Sequence, residues 1–373
     1  MLTLVLVVVL ATLVFEYING FHDTANSIAT VVATKVLSPL QAVTLAAVMN
    51  LIGALAGTAV AKTIALGLID TAVVTVSSQL ILSALSGAIV WNLVTWRMGL
   101  PSSSSHALIG GLCGAAIAAA DGRFDALIWS QQAADWSQSA GLLWKVGLPM
   151  VSSPLAGFLL GLLLMGVLMT LISAMNGAGG WLARISRPRW INAVFGRAQI
   201  VSAAYMGFAH GTNDAQKAMG IIALSLFGAE AAGVLDDLPT WLGFLHPGSS
   251  DEGEIDLWII VTCAIVMALG TAAGGWRIVK TLGHKVVKLH PVHGFAAETS
   301  SASILLAAAH FGMPVSTTHS ISTAIMGVGF AQNSRAMRWP VIERILWAWV
   351  LTIPAAGGIA WAVFRLLRSG GLA

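Results

Sequence analysis

Two short polar runs, each sunk in apolar sequence, occur twice in this chain. N-G-F-H-D-T-A-N at 19–26 returns as H-G-T-N-D-A-Q-K at 210–217, which aligns Asp23 with Asp214. G-L-P-S-S-S-S-H at 99–106 returns as G-M-P-V-S-T-T-H at 312–319, with glycine, proline, hydroxyl run and histidine in register. Such a chain must bring four polar segments together inside lipid-soluble surroundings. Proteins built from two membrane-embedded repeats do this where the repeats meet, and there they place a solute site.

Of the 373 residues, 57% are hydrophobic and only 9% charged, against about 25% charged in soluble domains. Apolar stretches at 39–61, 146–174, 257–275 and 341–364 are long enough to cross ~30 Å of hydrocarbon as helices. Period-2 alternation is absent, which argues against an outer-membrane barrel. The expectation is therefore an all-α polytopic membrane protein forming one domain over 1–373. Repeat one covers 1–140, a connecting crossing 141–198, and repeat two 199–373. Residues 1–15 lack a basic leader and run straight into the first motif, so they read as the first helix and not as a cleaved signal. Cys113 and Cys263 lie in apolar stretches and read as reduced thiols. The net charge of +3 is too small to imply a nucleic-acid partner.

Charge distribution predicts the topology. Loop 176–198 carries Arg184, Arg187, Arg189 and Arg197, and loop 276–293 carries Arg277, Lys280, Lys285 and Lys288, neither with an acid. Between them, loop 229–256 holds Glu230, Asp236, Asp237, Asp251, Glu252, Glu254 and Asp256 without a base. The positive-inside rule puts both basic loops in the cytoplasm and the acidic one outside. Segment 295–330 then enters and leaves on one side as a re-entrant hairpin with Pro314 at its tip, bounded by Arg335 and Arg338. Hairpin 77–120 mirrors it with opposite sign, opening toward Asp121, Asp125 and Asp135. The odd crossing at 142–175 inverts the second repeat and leaves both termini outside, with Arg365 and Arg368 as a mild violation. Pro149 and Pro154 leave open whether 142–175 crosses once or twice.

A charged side chain at the bilayer centre costs about 2.5–3.5 kcal/mol on insertion scales. Asp23 and Asp214 therefore need a purpose. The expectation is that the helix breaks at 19–26, so that freed carbonyls join Asp23 and Asn26 in holding a cation or proton. The hydroxyl runs point to an anion. With Pro101 and Pro314 placed in the first turn of a helix, the amides of 102–105 and 315–318 would aim free N–H groups from a positive dipole end. Two such termini facing each other would grip a tetrahedral oxyanion. His106 and His319 end these runs, where an imidazole can bond the anion, cap backbone, titrate or simply pack. Glu298 is a further candidate for a proton or cation, and Glu16 lies one turn before Asn19. Gly53 and Gly57 read as close helix contacts. No Walker sequence, metal-ligand cluster or nucleophilic triad is present, so the chain is not read as an enzyme, and neither a cofactor nor a bound metal is expected.

The paired motifs resemble the inorganic phosphate transporter family, whose repeats carry G-A-N-D-V-A-N-like signatures and Pro-x-Ser/Thr-x-Thr-His hairpin tips. The resemblance spans both halves. N-G-F-H-D-T-A-N is similar to the bacterial low-affinity branch, associated with proton-coupled phosphate uptake, often as a neutral divalent-metal–phosphate complex. The resemblance implies that Asp23, Asn26 and Asp214 coordinate the coupling ion or substrate. It also implies that Ser103, Ser104, Ser105, Ser316, Thr317 and Thr318 hold phosphate; Asn26 stands beside them, and the Lys217 ammonium is read as neutralising Asp214 or reaching the phosphate. Lys217 stands where the second signature usually has Asn, and Asn50 where many eukaryotic members have an acid. Both changes disfavour a complete sodium site and leave protons as the simpler coupling ion.

The sequence-based expectation is a secondary transporter of the bacterial cytoplasmic membrane, importing inorganic phosphate with protons by alternating access. A homodimer is an admissible assembly. The alternatives are a sodium-coupled symporter or sulfate permease of the same fold and, from another class, an anion channel.

Overall fold

The computed structural model describes residues 2–66, 68–133, 139–247 and 255–370. Among them the chain is helical nearly throughout. The first half contains α1 (Leu2–Ala33), α2 (Pro39–Ala54), α3 (Ala59–Leu66), α4 (Ser78–Met98) and α5 (Ser104–Ala119). Next come α6 (Leu148–Gly177) and the short α7 (Gly180–Ile185). The second half contains α8 (Pro188–Ala231), α9 (Leu257–Ala273), α10 (Trp276–Lys280), α11 (Pro291–His310), α12 (Thr317–Asn333) and α13 (Trp339–Ser369). Asp135, Asp251, Glu252 and Glu254 lie outside the described residues.

The expected helical hairpins form, as α4–α5 and α11–α12. Each first arm ends at a glycine with positive φ, Gly99 at 67° and Gly312 at 61°, the left-handed conformation that glycine adopts without a Cβ penalty. Segment 142–175 is a single helical passage: a π turn at Leu143–Gly147 leads directly into α6. Pro149 and Pro154 both lie within this passage and are tolerated there. At 30 residues α6 is about 45 Å long, enough to cross with tilt. Most of its apolar surface faces outward, as does that of α13.

One expectation fails in an instructive way. α1 and α8 do not break at their motifs: α1 is continuous through Asn19–Asn26, and α8 is continuous through His210–Lys217. Asn and Asp cost a helix interior at most about 0.7 kcal/mol each, whereas an unwound turn would strand backbone groups in an apolar bundle at several kcal/mol each. The discontinuity falls one helix later in both halves. The α2–α3 passage is interrupted at 55–58, and α9 is bent by 56° from the segment Trp276–Lys285. Gly274 (φ 73°) opens that second break, and a Cβ on Gly275 would lie 2.6 Å from the Phe21 carbonyl. The break thus presses against the first motif.

Packing follows the duplication. α1 lies on α9 while α2 lies on α8; α5 lies on α13 while α12 lies on α6. Glycines make the first pair of contacts possible. A Cβ on Gly20 would sit 2.4 Å from Met267 O, and one on Gly211 2.3 Å from Asn50 O. Gly53 is likewise a close contact, 2.1 Å from Phe208 O, but Gly57 meets only Gln216 Nε2 at an ordinary 3.7 Å. Cys113 and Cys263 are free thiols. At one end of the molecule, Arg365 and Arg368 both donate to Asp121 Oδ1, at 3.0 and 2.6 Å. The Arg368 and Arg365 guanidiniums hold the Asp121 carboxyl below its ordinary range. The end of α13 therefore lies on the same face as the loop after α5.

Candidate anion and cation site

The site forms where the middles of α1 and α8 meet the N-termini of α5 and α12. Ser103 (φ −96°, ψ 112°) and Ser316 (φ −85°, ψ 111°) are the N-caps. Their Oγ atoms accept the amides of His106 and His319, each at 3.1 Å. Pro101 and Pro314 therefore lie two residues before the cap and not in the first turn. A residue preceding proline is pushed toward extended backbone, and the helix starts only where a hydroxyl can cap it. The amides left at the open helix ends belong to Ser104, Ser105, Thr317 and Thr318.

Two matched half-sites result. Ser104 Oγ donates to Asp23 Oδ2 at 2.8 Å, and Thr317 Oγ1 donates to Asp214 Oδ2 at 2.9 Å. Each carboxylate thus takes the hydroxyl of the first helical residue after the cap in its own half. The residue three positions further on crosses over. Asn26 Nδ2 donates to Thr317 and Thr318 at 3.1 and 2.9 Å, and Lys217 Nζ donates to Ser105 and to Asp214. Thr318 Oγ1 also reaches Asp23 Oδ1 at 3.4 Å. All eight side chains are buried, Lys217 to 1% exposure. An ammonium so enclosed is tolerable because a carboxylate and a hydroxyl receive its protons.

Histidines complete each carboxylate by different routes. His22 Nδ1 lies 2.7 Å from Asp23 Oδ1, while its Nε2 meets Thr95 Oγ1 at 3.2 Å. His210 Nε2 lies 2.9 Å from Asp214 Oδ2, and its Nδ1 faces Asn50 Oδ1 at 3.1 Å. Asn50 in turn donates to Thr271 Oγ1 at 2.9 Å, so Asn50 links His210 to α9. Ligand atoms of Asp23, His210 and Asp214 lie within 4.8 Å of one another. Two carboxylates and an imidazole are a reasonable donor set for a cation, contrary to the expectation of no metal cluster. The Lys217 ammonium on Asp214 opposes a resident divalent ion there.

The structure brings together Asp23, Asn26, Asp214, Lys217, Ser104, Ser105, Thr317 and Thr318, as the sequence suggests. Ser103 and Ser316 are adjacent, but their hydroxyls are engaged as caps. Glu298 is not in the cluster. It forms a second buried polar group with Thr30, Ser202 and Gln199, the last donating at 3.3 Å. Glu16 bonds Asn19 at 3.3 Å and reaches neither aspartate by hydrogen bond. His106 and His319 meet edge to face, ring centroids 4.8 Å apart, and His319 stacks on Trp349 at 3.9 Å. Sequence reasoning gave no role to His210, although H-x-x-x-D on one helix puts imidazole and carboxylate on the same face. Thr95 carried no such signal.

Residues 19–360 match the model of the phosphate transporter family. The chain is 41% identical over 370 residues to a probable low-affinity inorganic phosphate transporter of Bacillus subtilis, covering 98% of this chain and 99% of that one. A protein of the same description from Rhizobium meliloti is 44% identical over 349 residues, covering 93% and 92%. Among solved structures, the sodium-dependent phosphate transporter superposes with a TM-score of 0.79 at 24% identity, covering 98% of this chain and 99% of that chain. On this evidence the chain is a member of the phosphate transporter family.

Proposed function

We propose that this protein imports inorganic phosphate across the bacterial cytoplasmic membrane by alternating access, coupled to protons. The observation that carries the reading is the pair of matched half-sites. Two capped helix N-termini bring open amides and hydroxyls to one buried place, each beside a carboxylate from a continuous helix. The amides and the Lys217 ammonium suit an oxyanion. The carboxylates select among oxyanions. Asp23 and Asp214 can accept hydrogen bonds from protonated phosphate, which sulfate cannot donate at neutral pH, and a site left with unpaired acceptors discriminates strongly.

Protons are the coupling ion in this reading because Lys217 supplies at Asp214 the positive charge that a bound sodium ion would otherwise bring. Asp23, Asn26 and Glu298 are the remaining groups for the coupling step. The two halves are inverted repeats, both termini lie outside, and the moving parts are the hairpins. A neutral metal–phosphate complex is an admissible form of the cargo, since Asp23 and the histidines can face its metal, and a homodimer is an admissible assembly. The test is uptake of labelled phosphate into proteoliposomes with proton, sodium and sulfate conditions varied separately. Saturable accumulation that follows the pH gradient and ignores sodium and sulfate is expected; accumulation driven by sodium at equal pH would overturn the coupling. Flux without accumulation against a gradient would mean a channel.

A further inference from the structure

Both hairpin tips are held by backbone carbonyls, and one bond recurs in each half. Thr63 Oγ1, on α3 of the first half, donates to Gly312 O at 2.7 Å in the second hairpin. Thr281 Oγ1, just past α10 in the second half, donates to Gly99 O at 2.8 Å in the first hairpin. Each threonine also lies near the carbonyl four residues before it, Ala59 O at 3.4 Å and Arg277 O at 3.3 Å. Each bond thus joins the segment after a helix break to the positive-φ glycine of the opposite hairpin. No motif marks either threonine, and neither touches the phosphate cluster.

We propose that Thr63 and Thr281 are the two latches of the transport cycle, positioning residues whose hydroxyls hold the outer and the inner hairpin tip shut over the site. The inference rests on the transporter reading above. Sidedness follows from charge. Arg97 and Arg277 are exposed beside Gly99, and Arg277 Nη1 donates to Arg97 O at 2.8 Å, so the first tip meets the basic, cytoplasmic face. α3 packs on Gly220 of α8, toward the end that leads into the acidic loop, so the second tip meets the outer face. The polypeptide behind each latch is the unwound stretch that precedes a cap, 99–103 and 312–316. The second stretch meets the site directly, since Ser105 Oγ donates to Val315 O at 3.3 Å. Trp349 Nε1 also donates to Pro101 O at 2.9 Å and Asn213 Nδ2 to Met313 O at 3.3 Å, so breaking one threonine–glycine bond loosens one tip without unwinding any helix and raises access to the site from one side only.

The experiment reads each tip from its own side. Val315→Cys and Ser102→Cys, both buried at 2% and 0% exposure in the wild type, serve as reporters in a chain with Cys113→Ser and Cys263→Ala. A membrane-impermeant maleimide is added to vesicles of either orientation. Thr63→Val is expected to raise labelling of the Val315→Cys reporter from the outer face roughly two- to tenfold, the range set by losing one net hydrogen bond. Labelling of the Ser102→Cys reporter should stay unchanged. Thr281→Val is expected to do the reverse from the inner face. Thr63→Ser and Thr281→Ser keep the hydroxyl and should keep wild-type rates, and the alanine variants replace valine if its shape disturbs packing. Unchanged labelling in both variants, or equal loosening of both reporters, would overturn the proposal. Exchange of the two faces would leave the latches standing and correct the orientation. Failure of the unsubstituted chain to take up phosphate would overturn the function without altering the labelling pattern.

Discussion

Lys217 Nζ lies between Asp214 on its own helix and Ser105 on the hairpin of the opposite half. The equivalent place in the first half holds Asn26, a neutral amide bonded to Thr317 and Thr318. The two half-sites share their hydroxyls and carboxylates and differ by one full positive charge.

In the reading proposed above, that asymmetry selects the coupling ion. A second cation 4 Å from the ammonium would meet a repulsion of about 4 kcal/mol at an effective dielectric near 20, enough to empty the site by roughly three powers of ten. Uptake should therefore ignore a sodium gradient when pH is equal on both sides. Lys217→Asn is expected to introduce a sodium response, measured as sodium-driven uptake in proteoliposomes. Sodium-dependent accumulation by the wild type would refute this role.

The aspartates should separate in a double assay of transport and stability. Asp23→Asn and Asp214→Asn each remove a carboxylate that accepts a hairpin hydroxyl, and both are expected to abolish coupled uptake. Only Asp214→Asn strands a buried ammonium, a change that costs about 3–5 kcal/mol when one partner of a buried pair is removed. Thermal unfolding in detergent should show Asp214→Asn markedly less stable than Asp23→Asn. Adding Lys217→Met should recover stability without recovering transport.

The hydroxyl runs are expected to act on one ligand. Ser104→Ala and Thr317→Ala should each weaken phosphate binding by about 0.5–1.5 kcal/mol, or up to ~3 where the lost bond is to the charged anion. The double variant should depart from additivity because both termini contact the same molecule. Additive, negligible changes in calorimetric binding would assign these residues to packing.

Helix crossings near the site tolerate no side chain. Gly20→Ala and Gly211→Ala would force a methyl within 2.4 Å of Met267 O and 2.3 Å of Asn50 O. Overpacking of this kind typically costs about 1–3 kcal/mol. Both variants should lower the melting temperature, and they should lower uptake too, because the displaced helices carry Asp23 and Asp214. Unaltered melting of either variant would contradict the close approach.

Much of this architecture was legible because membrane sequence is chemically sparse. Asp23, Asp214 and the two hydroxyl runs stand out against apolar neighbours, and their repetition pairs them before any coordinate is known. The hairpins were legible from Gly99, Pro101, Gly312 and Pro314. The position of the helix breaks was not. Polar residues at 19–26 suggested unwinding, yet a side chain can satisfy a side chain without disturbing the backbone beneath it. The breaks at 55–58 and at Gly274 carry no polar signature, and their glycines, Gly57 and Gly274, are of a kind that also marks ordinary helix contacts. His210 was legible in principle from its spacing to Asp214, four residues on, but Thr63 and Thr281 were hidden: their partners are backbone carbonyls far along the chain, and a single sequence records neither.

The unbroken course of α1 and α8 has a consequence for how such a protein can change. Where a cation is held by carbonyls of an unwound helix, altering its identity means reshaping backbone, and many residues must move in concert. Here the backbone of both carriers stays wound and the cation-facing groups are side chains projecting from fixed turns. Exchanging an amide for an ammonium, as Asn26 and Lys217 illustrate within one molecule, alters the ion chemistry and leaves every helix in place. In the coupling we propose, the choice of ion would then rest on individual side chains and not on the course of the backbone.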